Sequence, residues 1–438
     1  MTKVSKVGTF LLAATIAACA TGPENSAPKT FDPDDPLAET DQALTPLATQ
    51  CTFNPTTGLM TVVIAAGETA VIARSAADSA ILQNGQACDN PVTASTLKKI
   101  TVTGSSGDDT LLLDFTNGLF ALGTTSAASS GIAVDLGGGT GDKLAIKGTS
   151  AADNFNFGAA SILLNTDANK DITYTNVESF VVSLGDGDDV YTSAGGGAAG
   201  GVFGQPISVF GGPGNDVFNQ GSAATVSETI SGGSGIDTVS YASRSASVTV
   251  TIGAGANDGA AAENDDIMSD VEIVTGGTGD DTLTADATLP ATLNGGPGND
   301  TLIGGSGNDT ISGGPGVDKV DYSGRSADIT ATLDGVTPSG DLTANEADIL
   351  GSDVENLEGG SGDDVLTGNA SANELVGNAG DDTLSGLGGD DTIEGGAGDD
   401  DISCGAGFDV TVGRVGTGVA TSSRRRSPFC GNARNHET

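Results

Sequence analysis

Tryptophan is absent from this 438-residue chain, and aromatic residues make up 4% of it. A chain so poor in large rings builds no wide conventional core. Histidine occurs once, at His436. HExxH zinc proteases and Ser-His-Asp hydrolases therefore lack their imidazole, and no G-x-S-x-G nucleophile elbow is present. Basic residues are scarce, 17 against 58 acidic ones, for a formal net charge of −41. That balance excludes nucleic acid as a partner, because phosphate binding needs a basic face. It also makes the chain repel itself, so a compact state needs counter-ions. Long apolar runs are missing too, which removes the region a pore-forming toxin requires. The longest run, Val7 to Ala18, is too short to span a bilayer.

That run follows the basic start Met1-Thr-Lys-Val-Ser-Lys6 and reads as an export signal, residues 1–18. Its end, Ile16-Ala17-Ala18-Cys19, resembles a bacterial lipobox and implies a lipid anchor through Cys19; an ordinary secretory signal cut after Ala18 or Ala20 is the other reading. Both export the protein, as a secreted or an outer-membrane-anchored chain at the bacterial surface. Cys51, Cys88, Cys404 and Cys430 then remain, an even number in an oxidising compartment and without CxxC spacing. Of three connectivities, the sequence-local pair Cys51–Cys88 and Cys404–Cys430 closes the shortest loops. Residues 19–50, with Pro at 23, 28, 33, 36 and 46, form an extended acidic tether.

What the chain has in excess is glycine, 68 residues, about twice ordinary usage. Residues 51–204 show short β-type runs such as Leu59-Met-Thr-Val-Val-Ile-Ala, with loose Gly-Asp turns at 104–112, 138–144, 148–155 and 184–191. From 205 to 412 the turns sharpen into G-G-x-G-x-D-x-U-x. Eight copies of G-G-x-G-x-D start at 211, 232, 276, 295, 304, 313, 359 and 395, where a shuffled chain would hold roughly 0.15. Units 295–321 and 359–412 run head to tail at a period of nine. A module of roughly 80 residues is also duplicated, with 235–252 matching 316–333. Its acidic trio Asp258, Glu263 and Asp265 aligns with Asp341, Glu346 and Asp348, as either a metal site or a solvated hairpin tip. Residues 413–438 form a basic, solvated tail.

Each unit alternates two tasks. Its first six residues make a turn whose glycines tolerate positive φ, exposing carbonyls and the Asp at position six as hard oxygen donors. Its last three make a short strand with one inward apolar residue, giving the stripe Phe218, Val239, Leu283, Leu302, Ile311, Val320, Leu366, Leu375, Leu384, Ile393 and Ile402. Such donors suit Ca²⁺ rather than Mg²⁺, zinc or copper.

The units resemble the repeats-in-toxin (RTX) hemolysin-type calcium-binding repeats. That resemblance implies an all-β, right-handed parallel β-roll or β-helix solenoid with an N-terminal β cap, and Ca²⁺ held between turns two units apart. Carried over, the ligands are Asp300, Asp309 and Asp318 in one block and Asp364, Asp382, Asp391, Asp400 and Asp409 in the other. Asp216, Asp237 and Asp281 belong to units with no partner two units away in sequence. Unit 368–376 carries Asn373 in place of Asp and Ser371 in place of Gly, so its site is expected to be weak or empty. The function expected is a calcium-binding structural or surface-interaction protein without catalytic activity, docking a cell-surface or matrix glycan or protein. A polysaccharide lyase or epimerase with an accessory β-roll is the alternative, with Arg244 and Arg325 as its only tempting bases.

Overall fold

The computed structural model describes residues 50–412, apart from 78–79, 94, 121–130, 166–169, 194–203 and 224–226, together with 433–434. The signal-like segment, Cys19, the tether up to residue 49, Cys430 and His436 lie outside these. Among the described residues every regular element is a strand, and the long sheets are parallel.

The chain winds as a solenoid whose successive strands alternate between two faces. On one face Lys99–Ser105 lies parallel between Leu59–Val63 and Gly131–Gly137. On the other, Thr69–Arg74, Thr110–Asp114, Lys143–Lys147 and Ser179–Ser183 stack in order. The ladders run unbroken through residue 205, since Ser179–Ser183 pairs with Ile207–Pro213 and Val190–Thr192 with Val217–Asn219. One hydrophobic core extends from Phe53 to Cys404.

The coils differ in width, and composition explains it. The N-terminal coils hold the rings, with Phe157 against Phe180 and Tyr191 at 5.9 and 5.5 Å between centroids. From Thr292 onward the coil tightens to two nine-residue units, so Thr301 pairs with Lys319, and Glu374 with Thr392. Most strands there are three residues long, and in these only the middle side chain points inward. The predicted position-eight stripe fills that space, every member at most 2% exposed. The duplicated modules are where the coil leaves this period. Each throws out an arm, Val248–Thr251 with Gly259–Ala260 in the first and Thr330–Thr332 with Pro338–Ser339 and Asp348–Leu350 in the second. The coil then resumes.

Gln50–Asn54 pairs antiparallel with Leu59–Val63 at the end of one sheet. The predicted Cys51–Cys88 disulfide is present, its Cα atoms 5.0 Å apart. Cys404 is also disulfide-bonded, while its expected partner Cys430 lies outside the described residues. Of segment 413–438, Ala433–Arg434 pairs antiparallel with Asp401–Ser403.

Candidate metal centre

Position six of each turn immediately precedes a strand, which places its carboxylate over the end of the sheet. All eleven predicted ligands are buried. Their Oδ1 atoms form a ladder along the solenoid, each accepting the backbone N–H from the turn one coil earlier. Asp281 donates to Asp300 and Asp300 to Asp318, both at 2.8 Å. Asp364 donates to Asp382 at 2.8 Å, Asp382 to Asp400 at 3.1 Å and Asp391 to Asp409 at 3.2 Å. Position five carries a second ladder running the opposite way, in which Asn299 donates to Asp280 Oδ1 and Val317 to Asn299 Oδ1.

The units that are isolated in sequence are not isolated in space. Asp216 donates to Asp237 Oδ1 at 2.7 Å, and Asp281 to Asp300. Asp216, Asp237 and Asp281, without a partner two units away in sequence, thus have one in the stacked turns. Coil length varies, 21 residues from Asp216 to Asp237 and 19 from Asp281 to Asp300, so turns stack without keeping the sequence period.

The second carboxylate oxygen divides the eleven. In Asp281, Asp309 and Asp364, Oδ2 accepts the N–H of the second residue of its own turn, Gly277 at 2.6 Å, Gly305 at 2.9 Å and Gly360 at 2.6 Å. In Asp216, Asp237, Asp300, Asp318, Asp382, Asp391, Asp400 and Asp409, Oδ2 is buried without a hydrogen-bond partner. Backbone handedness separates the two groups. Where Oδ2 is free, the second residue is left-handed, with φ of +97° at Gly296, +103° at Gly314, +74° at Asn378 and +69° at Leu387. That conformation turns its N–H away from the Asp; Gly296 donates instead to the Gly313 carbonyl at 3.0 Å. Gly277, Gly305 and Gly360 are not left-handed. These three turns open their stacks, each resting on a turn that is not a Gly-Asp repeat, at Arg244, Asp286 and Arg325 respectively.

Free buried carboxylate oxygens are costly unless a cation or proton meets them. Burial pushes Asp382 and Asp237 up to about 7, and Asp216, Asp300, Asp318 and Asp391 to about 6. Carbonyls converge on the same place: a methyl built on Gly295 would collide with Asp300 Oδ2 and lie 2.6 Å from the Gly313 carbonyl oxygen. No group of three or more His, Cys, Asp or Glu side chains converges among the described residues. A cation here would therefore be held by one or two carboxylates and main-chain oxygens. That donor set fits Ca²⁺, whose flexible shell of six to eight oxygens accepts carbonyls readily.

Asn373 opens a stack as well, accepting the Asn369 N–H at 2.8 Å while its Nδ2 donates to the Glu355 carbonyl at 2.8 Å. Five of the six acids in the two trios are buried, and Asp341 is the exception. Asp258, Glu263 and Asp265 are buried rather than at a solvated tip. Glu263 pairs with Arg244 at 2.5 Å, Asp265 Oδ1 accepts the Glu228 N–H, and Asp258 accepts Thr251 and Ile267 N–H groups. In the second arm Glu346 pairs with Arg325 at 2.7 Å and Tyr322 donates to Asp348 at 2.9 Å. The aligned pair Asp258 and Asp341 is corrected. Ser339 takes the place of Asp258, its hydroxyl accepting the Thr332 N–H, and Asp341 caps an exposed turn through Thr343. The arms differ in length between these points, which shifted the alignment.

The RTX calcium-binding nonapeptide repeat matches the chain in four copies, at residues 268–287, 292–322, 350–384 and 376–410. A search of curated proteins finds no match to the chain. The match begins at 268, downstream of the turns at 211 and 232 that share the ladder. With position-six carboxylates stacked coil on coil and their free oxygens facing carbonyls, residues 268–287, 292–322 and 350–410 match the RTX calcium-binding nonapeptide repeat, a repeat that binds Ca²⁺.

Proposed function

We propose that the protein is an exported structural or surface-interaction protein whose solenoid is completed by Ca²⁺, with no catalytic activity of its own. One observation carries the reading: eight stacked aspartates each bury an oxygen that has no protein partner. Asp216, Asp237, Asp300, Asp318, Asp382, Asp391, Asp400 and Asp409 are the side-chain ligands in this reading. Asp281, Asp309 and Asp364 are turn-closing residues, because their second oxygens are already engaged. The core offers little else to hold the tight coils, one aliphatic side chain per strand, so binding energy becomes folding energy.

The lipobox-like Ile16-Ala17-Ala18-Cys19 and the Pro-rich segment after it support a lipid-anchored chain held off a membrane. Calcium supplies the timing. Sites of extracellular class, about 10⁻⁴–10⁻³ M, stay empty in a cytoplasm and fill outside. The only bases considered for a lyase reading, Arg244 and Arg325, are committed to Glu263 and Glu346. Circular dichroism of the purified chain against calcium is the test. The reading expects β structure from about residue 205 onward to appear cooperatively with calcium and to vanish in excess chelator. A spectrum indifferent to chelator would overturn it. For the anchor, Cys19→Ser should release the protein from the membrane fraction without changing its calcium-induced folding.

A further inference from the structure

We propose that the turn at 184–189, outside the matched repeats, is an additional Ca²⁺ site, with Asp189 as its carboxylate ligand. The proposal rests on the calcium reading of the stacked aspartates and extends it into the part of the chain where the repeats are degenerate.

The turn reads Leu-Gly-Asp-Gly-Asp-Asp and reproduces the turn at 295–300 contact by contact. Gly185 and Gly187 are left-handed at φ +114° and +126°, as Gly296 and Gly298 are at +97° and +153°. Gly185 donates to the Gly211 carbonyl at 3.2 Å and Gly187 to that of Pro213 at 2.8 Å. Their counterparts donate to Gly313 and Pro315 at 3.0 and 3.1 Å. Asp189 Oδ1 accepts the Asp153 N–H at 2.6 Å, and in turn the Asp189 N–H goes to Asp216 Oδ1 at 2.8 Å. Asp189 is fully buried, and its Oδ2 has no partner. Burial, with Asp216, Asp153 and Asp188 nearby, raises its carboxyl to about 8.

Among the fixed positions of the motif only the first differs, Leu184 in place of Gly295. Its side chain lies in the apolar core. Cys404 fills position one of the last turn in the same way, and Asp409 in that turn also keeps a free Oδ2. A side chain at position one is therefore compatible with this carboxylate geometry. The turn rests on 148–153, whose Asp153 accepts the Thr149 N–H at 2.6 Å, and so it is the second member of a stack, the place where oxygens are left free.

The test counts bound calcium on the purified full chain by native mass spectrometry. Asp189→Asn should lower the count by at least one, as Asp300→Asn should, and Asp281→Asn should leave it unchanged. Asn373, whose backbone N–H donates to Asp391 Oδ1, shows that a turn with asparagine at position six still stacks on the next. If Asp300→Asn loses calcium and Asp189→Asn does not, this site is overturned and the calcium reading stands. If neither loses calcium, the calcium reading itself fails. A second measurement needs no variant: hydrogen exchange on the wild type should show residues 185–189 gaining protection at the calcium concentration that protects 296–300. Exchange there that is blind to calcium would also overturn the site.

Discussion

The backbone N–H of Asn373 donates to Asp391 Oδ1 at 2.9 Å, so an asparagine turn and an aspartate turn stack as two aspartate turns do. The ladder therefore needs only one acceptor oxygen per turn, and the charge serves the second oxygen. Asn373→Asp should not add a calcium site, because the Asn369 N–H that now caps Asn373 would cap the aspartate, as Gly360 caps Asp364. An increase in bound calcium measured by equilibrium dialysis would show that capping does not decide occupancy.

Asp237 and Asp391 should now behave alike. Both keep a free buried Oδ2 and both receive an N–H from the coil before. Replacing either by Asn should remove at least one ion, whereas Asp364→Asn should remove none. Calorimetric titration of the three variants checks this, and a loss confined to Asp391 would restore the distinction drawn from sequence spacing alone.

Calcium-free stability should fall as pH rises. Burial lifts the folded-state carboxyls of Asp382 and Asp237 to about 7 and of Asp300, Asp318 and Asp391 to about 6, while the unfolded chain releases these protons near pH 4. The folded form thus holds more protons between those limits. Its advantage is complete below about pH 4 and disappears through pH 6 to 7. Chelator-treated protein should show more β signal at pH 5 than at pH 8, and calcium binding at pH 6.5 should release protons. A flat pH profile in chelator would contradict the burial of these carboxylates.

Arg244 is 2% exposed and held to the buried Glu263, while Arg325 is 25% exposed. Arg244→Ala removes the guanidinium from beside the buried Glu263, a loss of about 3–5 kcal/mol. Arg325→Ala should lose less, since water can reach Glu346 once the side chain is gone. Denaturant melts in saturating calcium would rank the two.

Gly296→Ala should cost about 1–3 kcal/mol, because its φ is +97° and the new methyl would lie 2.6 Å from the Gly277 carbonyl oxygen. Gly277→Ala offers a contrast, meeting the Arg244 carbonyl at 2.6 Å without a left-handed φ. The first should lower calcium affinity as well as the melting temperature, the second mainly the melting temperature.

The nine-residue period, read from Gly and Asp alone, determined the strand, the turn, the inward residue at position eight and the choice of calcium. Those features are local: three residues of strand and six of turn carry their own geometry wherever they occur. The sequence also pointed to eleven aspartates at position six, all of which are buried. It could not tell which of them keep a free oxygen, because Gly277 and Gly296 look identical in sequence and differ only in handedness. That difference comes from the turn beneath, which in one case is the Tyr241–Arg244 turn of an arm and in the other a glycine turn. Spacing also hid Asp216, Asp237 and Asp189 from their neighbours, since arms and wide coils change the count of residues per coil but not the stacking distance between strands. Tertiary stacking, rather than sequence period, decided which carboxylates meet.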